Sequence, residues 1–97
     1  MSAYIIVQAT VTDWENFKRY TDIVPSLIKG FGGEYIVMDG EPELLEGSDI
    51  SGSVVVSKWP DKQTAKAFWN SGRYQEAIRL REGAGEFHVM LVDSLPA

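Results

Sequence analysis

The sequence predicts one α+β domain in the order β-α-β-β-α-β, an antiparallel four-stranded sheet with both helices on one face. Two observations carry that prediction. Four short segments rich in β-branched and aromatic residues alternate with two longer segments whose apolar residues recur at helical spacing. The two halves also share a plan of strand, Asp at or beside a cap, aromatic-bearing helix, then strand, the pattern of a split βαβ sandwich.

The first strand is "YIIVQATV". In the following "TDWENFKRYTDIVPSLIKGFGG", Thr12 at N-cap and Glu15 three residues on fit a capping box. Trp14, Phe17, Tyr20 and Val24 form one apolar stripe. Pro25 has no backbone N–H, so a kink or break is expected near Ile23–Val24, with a short continuation through Leu27 and Ile28. Gly30, Gly32 and Gly33 close the helix. This glycine cluster ends a helix and opens a strand, the reverse of a phosphate-binding loop, so it is expected to be a left-handed cap.

"EYIVM" is the second strand. The connection "DGEPELLEGSDISG" carries Asp39, Glu41, Glu43, Glu46 and Asp49, whose spacing does not fit a calcium loop. A solvated connection with a small arm at Leu44 and Leu45 is expected. "SVVVSKW" is the third strand. "PDKQTAKAFWN" begins a helix with Asp61 as N-cap and Ala65, Phe68 and Trp69 on its inner face. "SG" interrupts it, "RYQEAIRLRE" resumes it, "GAG" stops it, and "EFHVMLV" is the last strand.

Bulk properties bound the function. A chain of 97 residues makes one domain, spanning 1–97. A formal charge of −5 argues against nucleic acid. No apolar run is long enough for a membrane helix, and "MSAYIIVQAT" has no signal-peptide pattern. There are no cysteines, hence no disulfides and no thiolate metal sites. A cytoplasmic protein with neither membrane nor nucleic-acid partner is expected.

Two helices cover one face of a sheet. In the first strand Ile5, Val7 and Ala9 oppose Tyr4, Ile6, Gln8 and Thr10; in the last, Phe87, Val89 and Leu91 oppose His88, Met90 and Val92. In the third, Val54 and Val56 oppose Val55 and Trp59. Neither face is polar, as a solvated antiparallel face should be, so the uncovered face calls for a second copy and a homodimer.

The stretches "TDWENFKRY", "GGEYIVMDG", "LLEG" and "SVVVSKWPDKQTAKAFWNSGRYQEAIRLRE" resemble the domain-of-unknown-function 1330 family, within the dimeric α/β-barrel group. The resemblance spans almost the whole chain. It implies a ferredoxin-like protomer whose sheet packs on its twin to close a barrel, and it implies no settled activity. More distant members of the group include cofactor-free monooxygenases, lactone isomerases and haem-binding proteins; fold kinship alone does not transfer their functions.

Candidate site residues come from conflicts with pattern. Three of the four arginines lie in "NSGRYQEAIRLRE". On a helical wheel Tyr74, Ala77, Ile78 and Leu80 share an arc, Arg79 points away, Arg73 lies at the edge, and Arg81 falls within the apolar arc. A guanidinium there either pairs with a carboxylate or with helix-end carbonyls, or meets an anionic or carbonyl-bearing ligand at the barrel mouth. His88, the lone histidine, is either a hydrogen-bonded interface residue or a general base. Trp59, just before Pro60, is placed at a cleft entrance. Tyr4, Gln8, Trp59, Arg81 and His88 are thus the ligand-binding candidates, with His88 and Arg81 as the catalytic ones, for a flat or carbonyl-containing small molecule in the barrel cleft. One His without Cys gives no metal site, and no cofactor is expected. No G-x-S-x-G elbow is present. The expected function is therefore a small-molecule-binding homodimer with cofactor-free isomerase or oxygenase chemistry; the alternative is a non-enzymatic binding or stress-related structural dimer. Whether the chain is an enzyme is left open.

Overall fold

The computed structural model describes residues 2–48 and 52–95. Strand β1 (Ala3–Val11) leads into helix α1 (Trp14–Gly30), strand β2 (Glu34–Gly40) and strand β3 (Ser53–Trp59). Helices α2 (Lys62–Asn70) and α3 (Gly72–Ile78), a 3₁₀ turn (Arg79–Arg81) and strand β4 (Gly85–Asp93) complete the order. The sheet is antiparallel in the order β2-β3-β1-β4, which is the expected ferredoxin-like arrangement.

Pairing fixes the two faces. Ile5 lies between Ser57 and Leu91, Val7 between Val55 and Val89, and Ala9 between Ser53 and Phe87. This row faces the helices, where Ile5, Val24, Ile28, Trp59, Ala65, Phe68, Tyr74 and Ala77 form the core. The other row sets Tyr4 between Lys58 and Val92, Ile6 between Val56 and Met90, and Gln8 between Val54 and His88.

Helix ends follow local chemistry. The N-cap of α1 is Asp13, one residue later than the expected Thr12: its carboxylate accepts from Asn16 N at 3.2 Å and Asn16 Nδ2 at 2.8 Å. Thr12 is drawn off instead, its Oγ1 donating to the Ala84 carbonyl at 3.2 Å. Of the expected kink or break at Pro25, the break does not occur: α1 runs through Pro25 as one helix. Pro25 is exposed, while buried Val24 and Ile28 hold the helix on either side of it. The glycine cap is as expected, with Gly33 N donating to Ile28 O at 2.9 Å, Gly32 N to Lys29 O at 3.1 Å, and Gly32 at φ +96°. Asp61 caps α2 by accepting from Thr64 N at 2.7 Å. One hydroxyl makes the break between α2 and α3: Ser71 Oγ donates to Phe68 O at 2.7 Å and accepts from Tyr74 N at 3.2 Å.

In the acidic connection, residues 41–48 are almost all exposed, and Leu45 is 90% exposed, so no arm folds back on the body there. Asp49 lies outside the described residues. Among the described residues no three acidic or histidine side chains cluster as metal ligands, and no helix is long and apolar enough to cross a membrane.

Candidate functional site

Helix α1 makes its close backbone approaches to α3 and the 3₁₀ turn rather than to the sheet. A cavity of about 550 Å³ opens beneath it, over the helix-facing row of β1 and β3. Ile5, Val7, Ala9 and Val55 form the floor, and Phe17, Tyr20, Val24 and Ile28 form the wall. Of the expected stripe, Phe17, Tyr20 and Val24 lie in this wall and Val24 reaches the core, whereas Trp14 departs from it and is 62% exposed. A second stripe of α1, Trp14, Lys18, Thr21 and Pro25, is exposed and forms the rim, facing Met38 and Asp39 of β2. Asp39 sits at φ +53°, unusual for a side chain other than glycine.

The polar groups gather deep in the cavity. Arg81 is only 8% exposed, and its guanidinium carbon lies 4.3 Å from the Phe87 ring centroid and 5.2 Å from that of Tyr20. Phe17 stacks on both rings, at 5.4 Å from Tyr20 and 5.5 Å from Phe87. Among the described residues the ion pair present is Lys62–Asp93, and the guanidinium has neither a salt bridge nor a hydrogen bond. No polar side-chain atom among them is shut away from all contact without a partner, so the free N–H groups of Arg81 open onto the cavity it lines. Pairing with a carboxylate or with helix-end carbonyls, the first of the two expected fates of Arg81, does not occur among these residues.

The turn that carries Arg81 is held in place by a single carbonyl. Ala84 O accepts from Thr12 N at 2.7 Å and Asp13 N at 3.0 Å, as well as from the Thr12 hydroxyl, while Ala84 N donates to Arg81 O at 3.0 Å. The start of α1 and the 3₁₀ turn are thereby locked side by side.

Tyr20 and Tyr74 share an O···O hydrogen bond of 2.8 Å beside Arg81. Burial pushes the Tyr20 hydroxyl well above the ordinary phenol range; the neighbouring Tyr74 adds to this and Arg81 opposes it. Burial likewise raises Tyr74, against the lowering effect of the Tyr20 hydrogen bond and Arg81. Tyr35, also on the cavity wall, is pushed up to about 12 by burial and by the nearby Tyr74 and Asp39 charges. All three phenols are therefore neutral hydrogen-bond donors at physiological pH.

The five expected ligand residues do not meet. Tyr4, Gln8 and His88 lie together on the open face of the sheet, where Gln8 and His88 are direct partners. Arg81 lies on the opposite side, in the cavity. Trp59 is not at an entrance: it is 1% exposed in the core, its Nε1 donates to Ser57 Oγ at 2.8 Å, and Gly33 packs against its ring. Tyr20, Tyr35, Tyr74, Phe17 and Phe87 were not among the expected site residues. Their helical and strand spacing is that of ordinary core, and only their polar tips hint at a cavity.

A ferredoxin-like sheet with a cavity between one face and its helices defines the class. Within it, the chain belongs to the family of the domain of unknown function DUF1330, whose model matches residues 2–95. No curated protein matches the sequence. A protein of unknown function from Rhodopseudomonas palustris superposes with a TM-score of 0.77 at 14% identity, covering 99% of this chain and 84% of that one. A dimeric ferredoxin-like protein of unknown function from Jannaschia matches at 0.65 and 10%, covering 97% and 100%. A cofactor-independent oxygenase from Streptomyces nogalater matches at 0.63 and 10%, covering 99% and 95%. At these identities the likeness is one of fold.

Proposed function

We propose that this chain binds a small, flat or carbonyl-containing organic molecule in the cavity between its sheet and α1, and that it does so as a homodimer. The observation that carries the ligand reading is Arg81, a buried cation without an ionic partner among the described residues, opening onto an aromatic-lined space. A permanently charged group is costly to bury alone, and a ligand oxygen is the partner the cavity has room for. A volume of about 550 Å³ suits a molecule of two or three fused rings. The similar oxygenase from Streptomyces nogalater works without a cofactor, which makes cofactor-free chemistry on such a ligand the enzymatic form of this proposal. Arg81 is the catalytic candidate kept here. His88, on the other face, is assigned to the interface.

The homodimer is supported by the open face of the sheet. Met90 is 49% exposed, Val92 40% and Val37 37%, beside Ile6 and Val56. Another copy of the same face would bury them, and the similar Jannaschia protein is dimeric.

Native mass spectrometry on protein purified gently from its host tests both parts. A dimer mass carrying a small organic adduct is expected, with the adduct absent from Val55→Phe, which fills the cavity floor. A monomer sinks the dimer. An adduct unaffected by Val55→Phe moves the ligand site elsewhere.

A further inference from the structure

We infer that the cavity receives its ligand already ionised, as a planar monoanion with its charge on an oxygen, and that Arg81 and the Tyr20–Tyr74 pair hold that oxygen. This rests on the ligand reading of the cavity and narrows it to one chemical class.

Charge comes first. Among the described residues the charged side chains lining the cavity are Lys18, Asp39 and Arg81. Lys18 and Asp39 are opposite in sign and exposed at the rim, where water screens them. Arg81 alone is buried, so the deep end is positive with no counter-ion of its own among the described residues.

The donors decide the protonation state of the ligand. The buried polar groups lining the cavity include the guanidinium, the Ser57 hydroxyl and two phenols joined at 2.8 Å, one of which donates to the other, leaving one phenol O–H of the pair for a ligand. Burial keeps both phenols protonated at physiological pH, so neither serves as a base. Among the described residues no imidazole lines the cavity, and the one carboxylate that does, Asp39, stands at the rim. A neutral acid entering the deep end would meet a cation and only neutral hydroxyl oxygens to accept its proton. An oxyanion would meet a cation and a hydroxyl.

Shape and hydration select among anions. A phosphate dianion needs several donors and a polar shell, whereas this lining is mostly Ile, Val and aromatic rings. A guanidinium lying over two ring faces keeps its in-plane N–H fork for a delocalised partner, and Arg is weakly enough hydrated to bind one in an apolar setting. The class is therefore an aromatic oxyanion: an ionised enol or acidic phenol, or an aromatic carboxylate.

Calorimetric titration with three probes tests this at neutral pH: 2-hydroxy-1,4-naphthoquinone and 2-naphthoate, both ionised, and neutral 1,4-naphthoquinone. One or both anions should bind at least about tenfold tighter than the neutral quinone, the size of a single charge-assisted contact. Tighter binding of both indicates any aromatic oxyanion; a preference confined to the hydroxyquinone narrows the class to enolates. Arg81→Gln should erase the preference while leaving the neutral quinone's affinity unchanged. Should that variant fold poorly, Tyr20→Phe should weaken the anions alone by about three- to tenfold. Equal binding of neutral and anionic probes, or an anion preference that survives Arg81→Gln, overturns the inference and leaves the small-molecule reading standing. Failure of all three probes to bind wild-type protein, together with no adduct in the native mass spectrum, overturns both.

Discussion

The Arg81 guanidinium rests over the Phe87 ring, 4.3 Å from its centroid, with no carboxylate within ion-pair distance among the described residues. Ring faces replace part of the lost hydration but give the N–H fork no strong acceptor. On the proposed reading such a residue serves a ligand more than the fold. Arg81→Met keeps the length of the stem and removes the buried charge, so the variant should unfold in urea within about 1 kcal/mol of wild type, or above it. A loss beyond about 3 kcal/mol, the usual cost of breaking a buried ion pair, would show that Arg81 has a structural partner.

Tyr20 and Tyr74 join α1 to α3 through one hydrogen bond of 2.8 Å. Tyr20→Phe and Tyr74→Phe should each cost about 0.5–1.5 kcal/mol in chemical denaturation. The double variant should cost less than their sum by roughly 1 kcal/mol, because the shared bond is lost only once. Strict additivity would mean that the two hydroxyls do not hold each other in solution.

Alkaline pH should loosen the fold through the same phenols. Tyr20, Tyr35 and Tyr74 all sit above the ordinary tyrosine value of 10.0, with burial the leading cause in each. The native state therefore holds protons that the unfolded chain releases as pH rises past 10.0, and stability falls from that point upward. The stabilisation is fully present below 10.0, and the Tyr35 share is spent near pH 12. Ultraviolet titration should show delayed phenolate formation at these three, followed by a cooperative rise on unfolding. Ionisation of all of them near pH 10 without unfolding would contradict their burial.

Much of this was legible in the chain. Strand alternation has a period of two, so the partition of Ile5, Val7 and Ala9 from Tyr4, Ile6 and Gln8 followed directly, as did the grouping of His88 with Met90; that His88 pairs with Gln8 is set by the register, which alternation does not give. Arg81 stood out because a guanidinium broke an apolar arc. The location of the cavity was hidden. Periodicity says that Phe17 and Tyr20 face inward, but it does not say whether α1 is seated on the sheet or stands off it. Parity also puts Trp59 on the inner row without revealing that Gly33 makes room for its ring. The cap slipped from Thr12 to Asp13 because a distant carbonyl, that of Ala84, competes for the threonine hydroxyl.

Two glycines of one segment should behave oppositely. A Cβ on Gly33 would lie 2.7 Å from the Trp59 ring, which is packed on every side, so Gly33→Ala should cost about 1–3 kcal/mol in thermal or chemical unfolding. Gly30, in the last turn of α1, has open space where its Cβ would be, and Gly30→Ala should be neutral or stabilising by up to about 1 kcal/mol. If Gly33→Ala is as stable as wild type, Trp59 does not sit against the helix cap.

The cavity and the open face lie on opposite sides of one sheet, which makes them separable by mutation. Met90 pairs with Ile6, whose other neighbour is Val56, so a charge at 90 falls in the middle of the apolar row. Met90→Glu already has water on its side in the monomer, since Met90 is 49% exposed, and the protomer should stay folded. In a dimer the same carboxylate would be buried with no cation set against it on its own strand, at a cost of several kcal/mol across two copies. Sedimentation should therefore report a folded monomer, by circular dichroism, whose cavity still binds the anionic probe through Arg81. Dimers that persist in Met90→Glu would move the interface off this face. Probe binding that vanishes with the dimer would mean the partner helps to shape the cavity through the sheet.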